Sequence, residues 1–328
     1  MSRALHGAAG VSPHTRAAVQ KAAAELGYVP SPYAASLSSG RTGAIGVFAH
    51  SMTKWFFAAA LDGAQQVLAT GGYLMTLHPV WPDRESPGLT GLGKRMDGAL
   101  ALVPPELLAD VGFDAAQVPL VFVGREQHGA GSVLVDDLLV GRRATEHLLE
   151  LGHTRLAFVG GSEPGGPRQG AAEDRGDGFR AALADAGLPS KAAVLPSDIT
   201  TRDGAVAFEQ LWRRAGGQAS GLPTGVVTAS DELAIGLIHT ARTHGVRVPQ
   251  QLSVIGVDDH EMSALFGLTT VRQPIITMGS LAARMLLTRL AALTGEPLPA
   301  AVEPVPWGRH EVEFELVVRA TTAAPRVR

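Results

Sequence analysis

From residue 43 onward the chain repeats one unit: a short apolar run, then a segment of helical or turn character. "AIGVFA", "YLMTL", "GALALV", "PLVFVG" and "VLVDD" follow one another in this way. The pattern restarts at "RLAFVGG" and continues through "AAVLP", "GVVTAS" and "LSVIGVDD". Apolar runs without alternation are buried on both faces, and helices between them supply crossovers, so the pattern predicts covered parallel sheets. Two rounds of four or five strands predict an α/β fold of two Rossmann-like subdomains. At 328 residues the chain has room for both and for a smaller unit. Phe57, Leu61, Ala64 and Leu68 share one face of the first core helix, which should end at Gly71-Gly72. Ser230 caps "SDELAIGLIHTARTHG" and Gly245 closes it. "HEVEFELVV" alternates from Val312 to Leu316 and predicts one half-exposed edge strand.

The first forty residues read differently. In "SPHTRAAVQKAAAELGY" Ser12 caps a helix, Pro13 suits its first turn, and Gly27 closes it. Val19, Ala22 and Leu26 fall on one face. "VPSPYAASLSSGRTG" reads as a linker, and its "PYAASLSS" makes barely two turns of helix, which fold only against a partner. Residues 1–41 carry Arg3, Arg16, Lys21 and Arg41 against Glu25, a net +3, so the remainder carries −6 of the total −3. A basic head on an acidic body fits an anionic partner, although four cations in forty residues also make an ordinary solvated surface.

Several classes of chemistry are missing from the sequence. With no cysteine there is no disulfide scaffold, thiolate metal site or cysteine nucleophile. HExxH, GxSxG, GxxxxGK[ST] and a GxGxxG after the first strand are all absent. "GGSEPGGPRQG" lacks the lysine of a phosphate loop and reads as a strand-to-helix connection. The eleven histidines are scattered, and His147 and His153 have the wrong spacing for one helix face. The expectation is therefore no enzyme, no metal and no cofactor. No apolar run approaches the roughly 18 residues of a membrane span, and the N-terminus has no apolar targeting region. The expected compartment is the cytoplasm, with no membrane partner.

A binding site is better supported. In doubly wound folds ligands lie beyond the carboxyl ends of the strands. Asp258 and Asp259 end "LSVIGV", Ser230-Asp231 follows "GVVTA", Arg175 follows "RLAFVGG", and Phe56 and Phe57 follow the first strand. An arginine, a carboxylate and an aromatic ring converging there would hold a polar small molecule. Asp231 reads more readily as a helix N-terminal charge, and the two phenylalanines fit core and cleft equally.

In order along the chain, "VSPHTRAAVQKAAAELGYVPSPYAASLSSGRTGAIGV", "HLLELGHTRLAFVGG", "RGDGFRAAL", "SDELAIGLIHTARTHGVRVPQQLSVIGVDD" and "LVVRATT" resemble the landmarks of the lactose-repressor (LacI/GalR) family of bacterial transcription regulators. The resemblance implies a type I periplasmic-binding-protein-like core behind a helix-turn-helix head and a hinge helix. It places the head at 1–29, the hinge at 30–42, and the N-terminal core subdomain at 43–135 plus 273–307. The C-terminal subdomain takes 136–272 plus 308–322, and 323–328 form a tail. Three crossovers are expected near Val135–Asp137, Arg272–Pro274 and Trp307–Arg309. Phe56, Phe57, Arg175, Ser230 and Asp258 match effector-binding positions. Leu37 matches the hinge leucine that wedges into the minor groove, and Ser2, Arg3 and His6 match the rear of the recognition helix. The implied protein is a homodimeric repressor that binds operator DNA and senses a small metabolite, with a sugar favoured. There are three departures from the pattern: Ser230 stands for an asparagine, Ile199 and Ile275 stand where some relatives have aromatics, and Ala35 replaces a hinge arginine.

The opening "MSRALHG" reads as the rear of a recognition helix without its front, with Met1 at a family valine. The 24 arginines beside four lysines fit a GC-rich genome, where GTG encodes valine and also starts genes. The expectation is an upstream start and a truncated head. Two alternatives stay open: a ligand sensor without specific DNA binding, and a sugar-binding transport protein of the same core. The second should carry a signal peptide and no hinge segment.

Overall fold

The apolar runs become the strands of two separate six-stranded sheets in the computed structural model, which describes residues 12–26, 41–81, 91–110, 118–162, 170–188 and 193–325. A helix, α1 (Pro13–Glu25), stands ahead of the core, and the Ser12 hydroxyl accepts the Thr15 N–H at 3.1 Å as its cap. The expected apolar stripe does not form a buried face. Val19 is half-buried, Ala22 and Leu26 are exposed, and Ala23 alone in this helix is buried. Ser2, Arg3, His6 and Leu37, together with residues 30–40 of the hinge segment, lie outside the described residues.

The first half of the core runs β1 (Ala44–Ala49), α2 (Trp55–Thr70), β2 (Leu74–Pro79), β3 (Gly98–Ala101), α3 (Pro105–Asp110), β4 (Leu120–Val123) and β5 (Gly131–Leu134). The second half runs α4 (Asp137–Glu150), β6 (Leu156–Val159), α5 (Ala171–Asp185), β7 (Ala193–Leu195), α6 (Thr201–Arg214), β8 (Gly225–Thr228), α7 (Asp231–Thr243), β9 (Ser253–Asp258), α8 (Ser263–Phe266) and β10 (Thr269–Arg272). The chain then returns through α9 (Ile275–Thr294) to β11 (Arg309–Glu311) and finally to β12 (Glu315–Val317). The first sheet has the order β11-β5-β4-β3-β1-β2 and is parallel throughout. The second has the order β12-β10-β9-β8-β6-β7 and is parallel except for β12. Central strands such as β3, β4, β6, β8 and β9 are buried at every residue, which is why they read as unbroken apolar runs.

The chain passes between the sheets three times, at 135–136, 273–274 and 312–314. The third passage lies beyond the expected Trp307–Arg309, because Arg309–Glu311 still pairs with Ser132–Leu134 of the first sheet. The alternating "HEVEFELVV" is therefore not one edge strand. Its start belongs to the first sheet and Glu315–Val317 pairs antiparallel with β10 in the second. Strand β10 itself carries no apolar run. Thr269 and Thr270 are fully buried in it, and their hydroxyls bond Thr322 and Asp231, which hides the strand from a hydropathy reading.

Helices pair across each sheet at reciprocal glycines. A Cβ on Gly63 of α2 would lie 1.9 Å from the Ile276 carbonyl, and one on Gly279 of α9 would lie 1.9 Å from that of Ala60. The same exchange joins α4 to α5, where Gly141 faces the Arg175 carbonyl at 2.0 Å and Gly178 faces that of Leu138 at 2.0 Å. It recurs between α6 and α7 at Gly204 and Gly236. Helix α9 is long and apolar enough to cross a membrane by length and composition alone, but Met278, Ala282, Met285 and Leu286 are buried in the core. Arg41, counted with the basic head by charge, instead pairs with Glu296, the Tyr73 hydroxyl and Asp97.

Candidate functional site

The carboxyl ends of the central strands of both sheets open onto one cleft of about 570 Å³. Phe56, Phe57, Arg175, Ser230 and Asp258 all line it. The sequence thus brings together side chains separated by as many as 202 positions, because parallel topology puts every strand's end on the same side.

Arg175 is the centre of the second-half wall. Its Nε donates to Asp137 Oδ1 at 2.9 Å and its Nη1 donates to the Ala229 carbonyl. Asp258 Oδ1 lies 3.9 Å from the same Nη1 and accepts from Gln273 Nε2 at 3.0 Å. Burial alone would lower the Arg175 pKa, but Asp137 and Asp258 raise it, so the guanidinium stays charged. Burial raises the pKa of both aspartates, and Arg175 offsets part of the shift in each. One cation between two buried carboxylates leaves an acceptor surplus directed at the cleft. The close crossing of α4 and α5 at Gly141 makes this cluster possible, since Asp137 sits one turn before it and the Arg175 backbone rests against it.

Asp258 occupies a strained position. It closes β9 at φ 115°, a region that favours glycine, and Asp259 follows at φ 57°. The reversal separates the two carboxylates. Asp258 turns to the cleft, while Asp259 pairs with Arg272 and Arg319, each at 2.7 Å. Those two arginines outweigh the upward pull of burial and lower the Asp259 pKa. Ser230 also has a structural duty, capping α7 by accepting the Leu233 N–H at 3.3 Å. Asp231 is fully buried beside the wall rather than in it. It accepts from the His260 N–H at 2.8 Å, Ser263 at 2.6 Å and Thr270 at 2.7 Å. Burial pushes its pKa up to about 7 against those three donors.

The first-half wall is aromatic. Phe56 and Phe57 meet edge to face at 5.5 Å, and Phe57 meets His50 edge to face at 4.7 Å. Phe57 is 6% exposed and belongs to the core as well as the cleft. Phe56 is half-buried over Gly124, where a Cβ would come within 3.3 Å of its ring. Among the described residues the buried Nδ1 of His50 has no hydrogen-bond partner. Burial, then Lys54 and Arg125, lower the His50 pKa, so its ring is neutral at pH 7.

Contacts also cross the mouth of the cleft. Trp55 packs on His260 with ring centroids 5.2 Å apart, and beside it burial raises the Glu232 pKa against the opposing pull of Lys54 and the Trp55 backbone. Arg125 reaches Asp174 at 3.7 Å. Of the residues in these walls, Asp137, His50, Lys54, Arg125, Glu232 and Gln273 were not singled out as ligands from the sequence. One signal was available: Val-Asp-Asp occurs at 135–137 and again at 257–259, each time at the carboxyl end of a strand. Ile199 lines the cleft, whereas Ile275 is 2% exposed in the core behind it. Residues 163–169 of the glycine-rich connection lie outside the described residues.

Residues 145–322 match a family model for a periplasmic binding protein-like domain. The HTH-type transcriptional regulator CelR of Thermobifida fusca is 31% identical over 323 residues, covering 92% of this chain and 91% of the relative. A solved transcriptional regulator CelR–cellobiose complex is 29% identical with a TM-score of 0.71, covering 98% of this chain and 94% of that one. A LacI family regulator of Enterococcus faecium with bound ribose is 26% identical with a TM-score of 0.71, covering 86% and 99%.

Proposed function

Because the chain belongs to the lactose-repressor (LacI/GalR) family of ligand-responsive transcriptional regulators, we propose that the cleft is its effector site and that a sugar is the effector. The observation that carries this reading is the Arg175–Asp137–Asp258 cluster, a buried fork of donors and acceptors at the floor of a cleft shared by both sheets. Hydroxyl groups suit it, since each one can both donate and accept. Phe56 and Phe57 supply an apolar face, and Ser230 and Asp258 complete the polar side. The related regulators seen with cellobiose and with ribose support a sugar in particular.

Binding would act on the contacts between the halves. A ligand touching both walls favours the closed arrangement, in which Trp55 meets His260 and Arg125 meets Asp174. In a homodimer that preference would change the spacing of the paired hinge segments and hence operator affinity. Ser2, Arg3, His6 and Leu37 remain the proposed DNA contacts, and the cytoplasm is the proposed compartment. The relatives are transcriptional regulators, which supports a non-enzymatic role for this chain.

The test joins both ends. Thermal shift with cellobiose and ribose is measured for the wild type and for Arg175→Ala, beside fluorescence anisotropy on a labelled operator fragment from the gene's own upstream region. A sugar should raise the wild-type melting temperature and change operator affinity, with both effects lost in the variant. A variant that keeps its full thermal response would remove Arg175 from the site.

A further inference from the structure

The chain enters the core through a clasp at the opposite edge of the first sheet from the cleft. Arg41, Thr42 and Gly43 lead into β1, and one carboxylate faces all three. Asp97 Oδ1 accepts the Thr42 N–H at 2.7 Å and the Thr42 hydroxyl at 3.0 Å. Its Oδ2 accepts the Gly43 N–H at 2.9 Å and lies 3.9 Å from Arg41 Nε. The Arg41 guanidinium also donates to Glu296 and to the Tyr73 hydroxyl, and it lies over the Tyr73 ring at 5.5 Å. Asp97 stands immediately before β3, Tyr73 immediately before β2, and Glu296 just beyond α9. The clasp thus gathers the amino ends of three neighbouring strands, all in the first half of the core. Backbone bonds close it, from the Asp97 N–H to the Ala44 carbonyl at 2.8 Å and from the Leu74 N–H to the Gly43 carbonyl at 2.9 Å. A carboxylate suits the place. Each of its oxygens meets donors, and hydrogen bonds to an ionised group are roughly twice as strong as neutral ones.

We propose that Asp97 is the positioning residue that couples the cleft to the hinge, by seating residues 41–43 rigidly on the first half of the core. This rests on the effector reading above. A sugar that closes the cleft turns one half against the other. A rigid seat passes that turn to Arg41 and so to the hinge segment, whereas a loose one absorbs it in the backbone of 41–43. The cleft lies at the carboxyl ends of the strands and the clasp at their amino ends, so the clasp can be loosened without touching the sugar wall. Asp97→Asn does this with almost no change of shape. Its amide N–H2 must point at Thr42 or at Gly43, and both present N–H donors.

The experiment uses the full chain as wild type, Asp97→Asn and Tyr73→Phe. Three readouts are taken with and without cellobiose and ribose: thermal shift, the rate of trypsin cleavage after Arg41, and anisotropy on the operator fragment. Asp97→Asn should raise cleavage after Arg41 about tenfold, since losing a hydrogen bond to a charged group shifts a local opening by that factor or more. Its sugar midpoint should stay within about twofold of the wild type, while the change in operator affinity on adding sugar collapses. A merely structural lesion would lower the melting temperature without separating those two responses. Tyr73→Phe removes one hydroxyl from the clasp and should do the same to a smaller degree, which decides the matter if Asp97→Asn folds poorly. Wild-type cleavage after Arg41 in both variants overturns the seat. An operator response that survives in both, or is missing from the wild type, overturns the coupling. If neither sugar shifts the wild type the effector reading fails and the coupling with it, while the trypsin rates still decide whether Asp97 holds the segment.

Discussion

The two walls of the cleft are built on the same strand-and-helix plan but hold their side chains in different ways. In the second half the polar groups are locked to one another. Arg175, Asp137, Asp258 and Gln273 form one buried cluster, and Asp231 anchors His260, Ser263 and Thr270 directly behind it. In the first half Phe56, Phe57 and His50 meet only through ring edges, and one ring nitrogen has no partner among the described residues. A hydrogen-bonded wall fixes orientation at the cost of tolerating little change. An aromatic wall contributes contact area and tolerates repacking. The division predicts that lesions on the second wall damage fold and function together, whereas lesions on the first damage function alone.

The sharpest way to break that comparison is Arg175→Ala. It leaves Asp137 and Asp258 buried without their cation, a change that typically costs about 3–5 kcal/mol. Urea denaturation should register that loss, and thermal shift should register no sugar response. A variant as stable as the wild type would mean that the cluster is not locked.

A second test uses pH. Asp231 has a folded pKa of about 7, far above the ordinary carboxylate value, because it is buried. At pH values between 3.8 and 7 the folded state therefore keeps a proton that the unfolded chain has released. The stability contribution is full below the unfolded pKa, falls as pH rises, and is flat above 7. The decline is on the order of a few kcal/mol by linkage, at about 1.4 kcal/mol per pKa unit. Asp231→Asn, compared with the wild type by denaturation across this range, should flatten that part of the slope.

Matching glycines in the two halves give a third test. Gly63→Ala on α2 and Gly141→Ala on α4 each place a methyl group against a backbone carbonyl and should cost about 1–3 kcal/mol. Only Gly141→Ala displaces the backbone of a ligand-cleft residue, Arg175. It should weaken sugar binding, and Gly63→Ala should not. Equal effects on binding would erase the distinction between the walls.

The core sheets were legible because buried parallel strands write themselves as apolar runs, as in "AIGVFA" and "LSVIGV". Strand β10 was not, since its buried Thr269 and Thr270 are satisfied by hydrogen bonds that only the fold supplies. The last alternating segment misled for a related reason. Alternation records exposure on one face but not which sheet supplies the other, and the chain changes sheets within it. In the cleft, Arg175 and Asp258 stood out beside family landmarks. Asp137 passed as a crossover residue, because its partner lies 38 positions away on another helix. Asp259 looked equivalent to Asp258, and only the backbone reversal at these two residues separates their roles.

Phe56→Ala probes the first wall directly. The ring is half-buried over Gly124, so its loss should leave stability within about 1 kcal/mol of the wild type. Sugar affinity should fall roughly tenfold, the value of one aromatic contact. A large loss of stability would show that the first wall is also a locked one.

The smallest effect lies where the walls meet. Trp55 belongs to the first half and His260 to the second, and their rings touch at 5.2 Å with 46° between planes. Such a pair contributes about 0.5–1.5 kcal/mol, which shifts an open–closed equilibrium by about two- to tenfold. Trp55→Ala leaves the backbone in place, so it removes the ring contact and little else. The wild type should therefore close more readily than this variant, seen as a larger sugar concentration needed to change a distance label spanning the halves. His260→Ala should do the same, and the double variant should do no more than either alone. Additive losses would mean that the two rings act on separate partners, and that their contact does not join the halves at this edge.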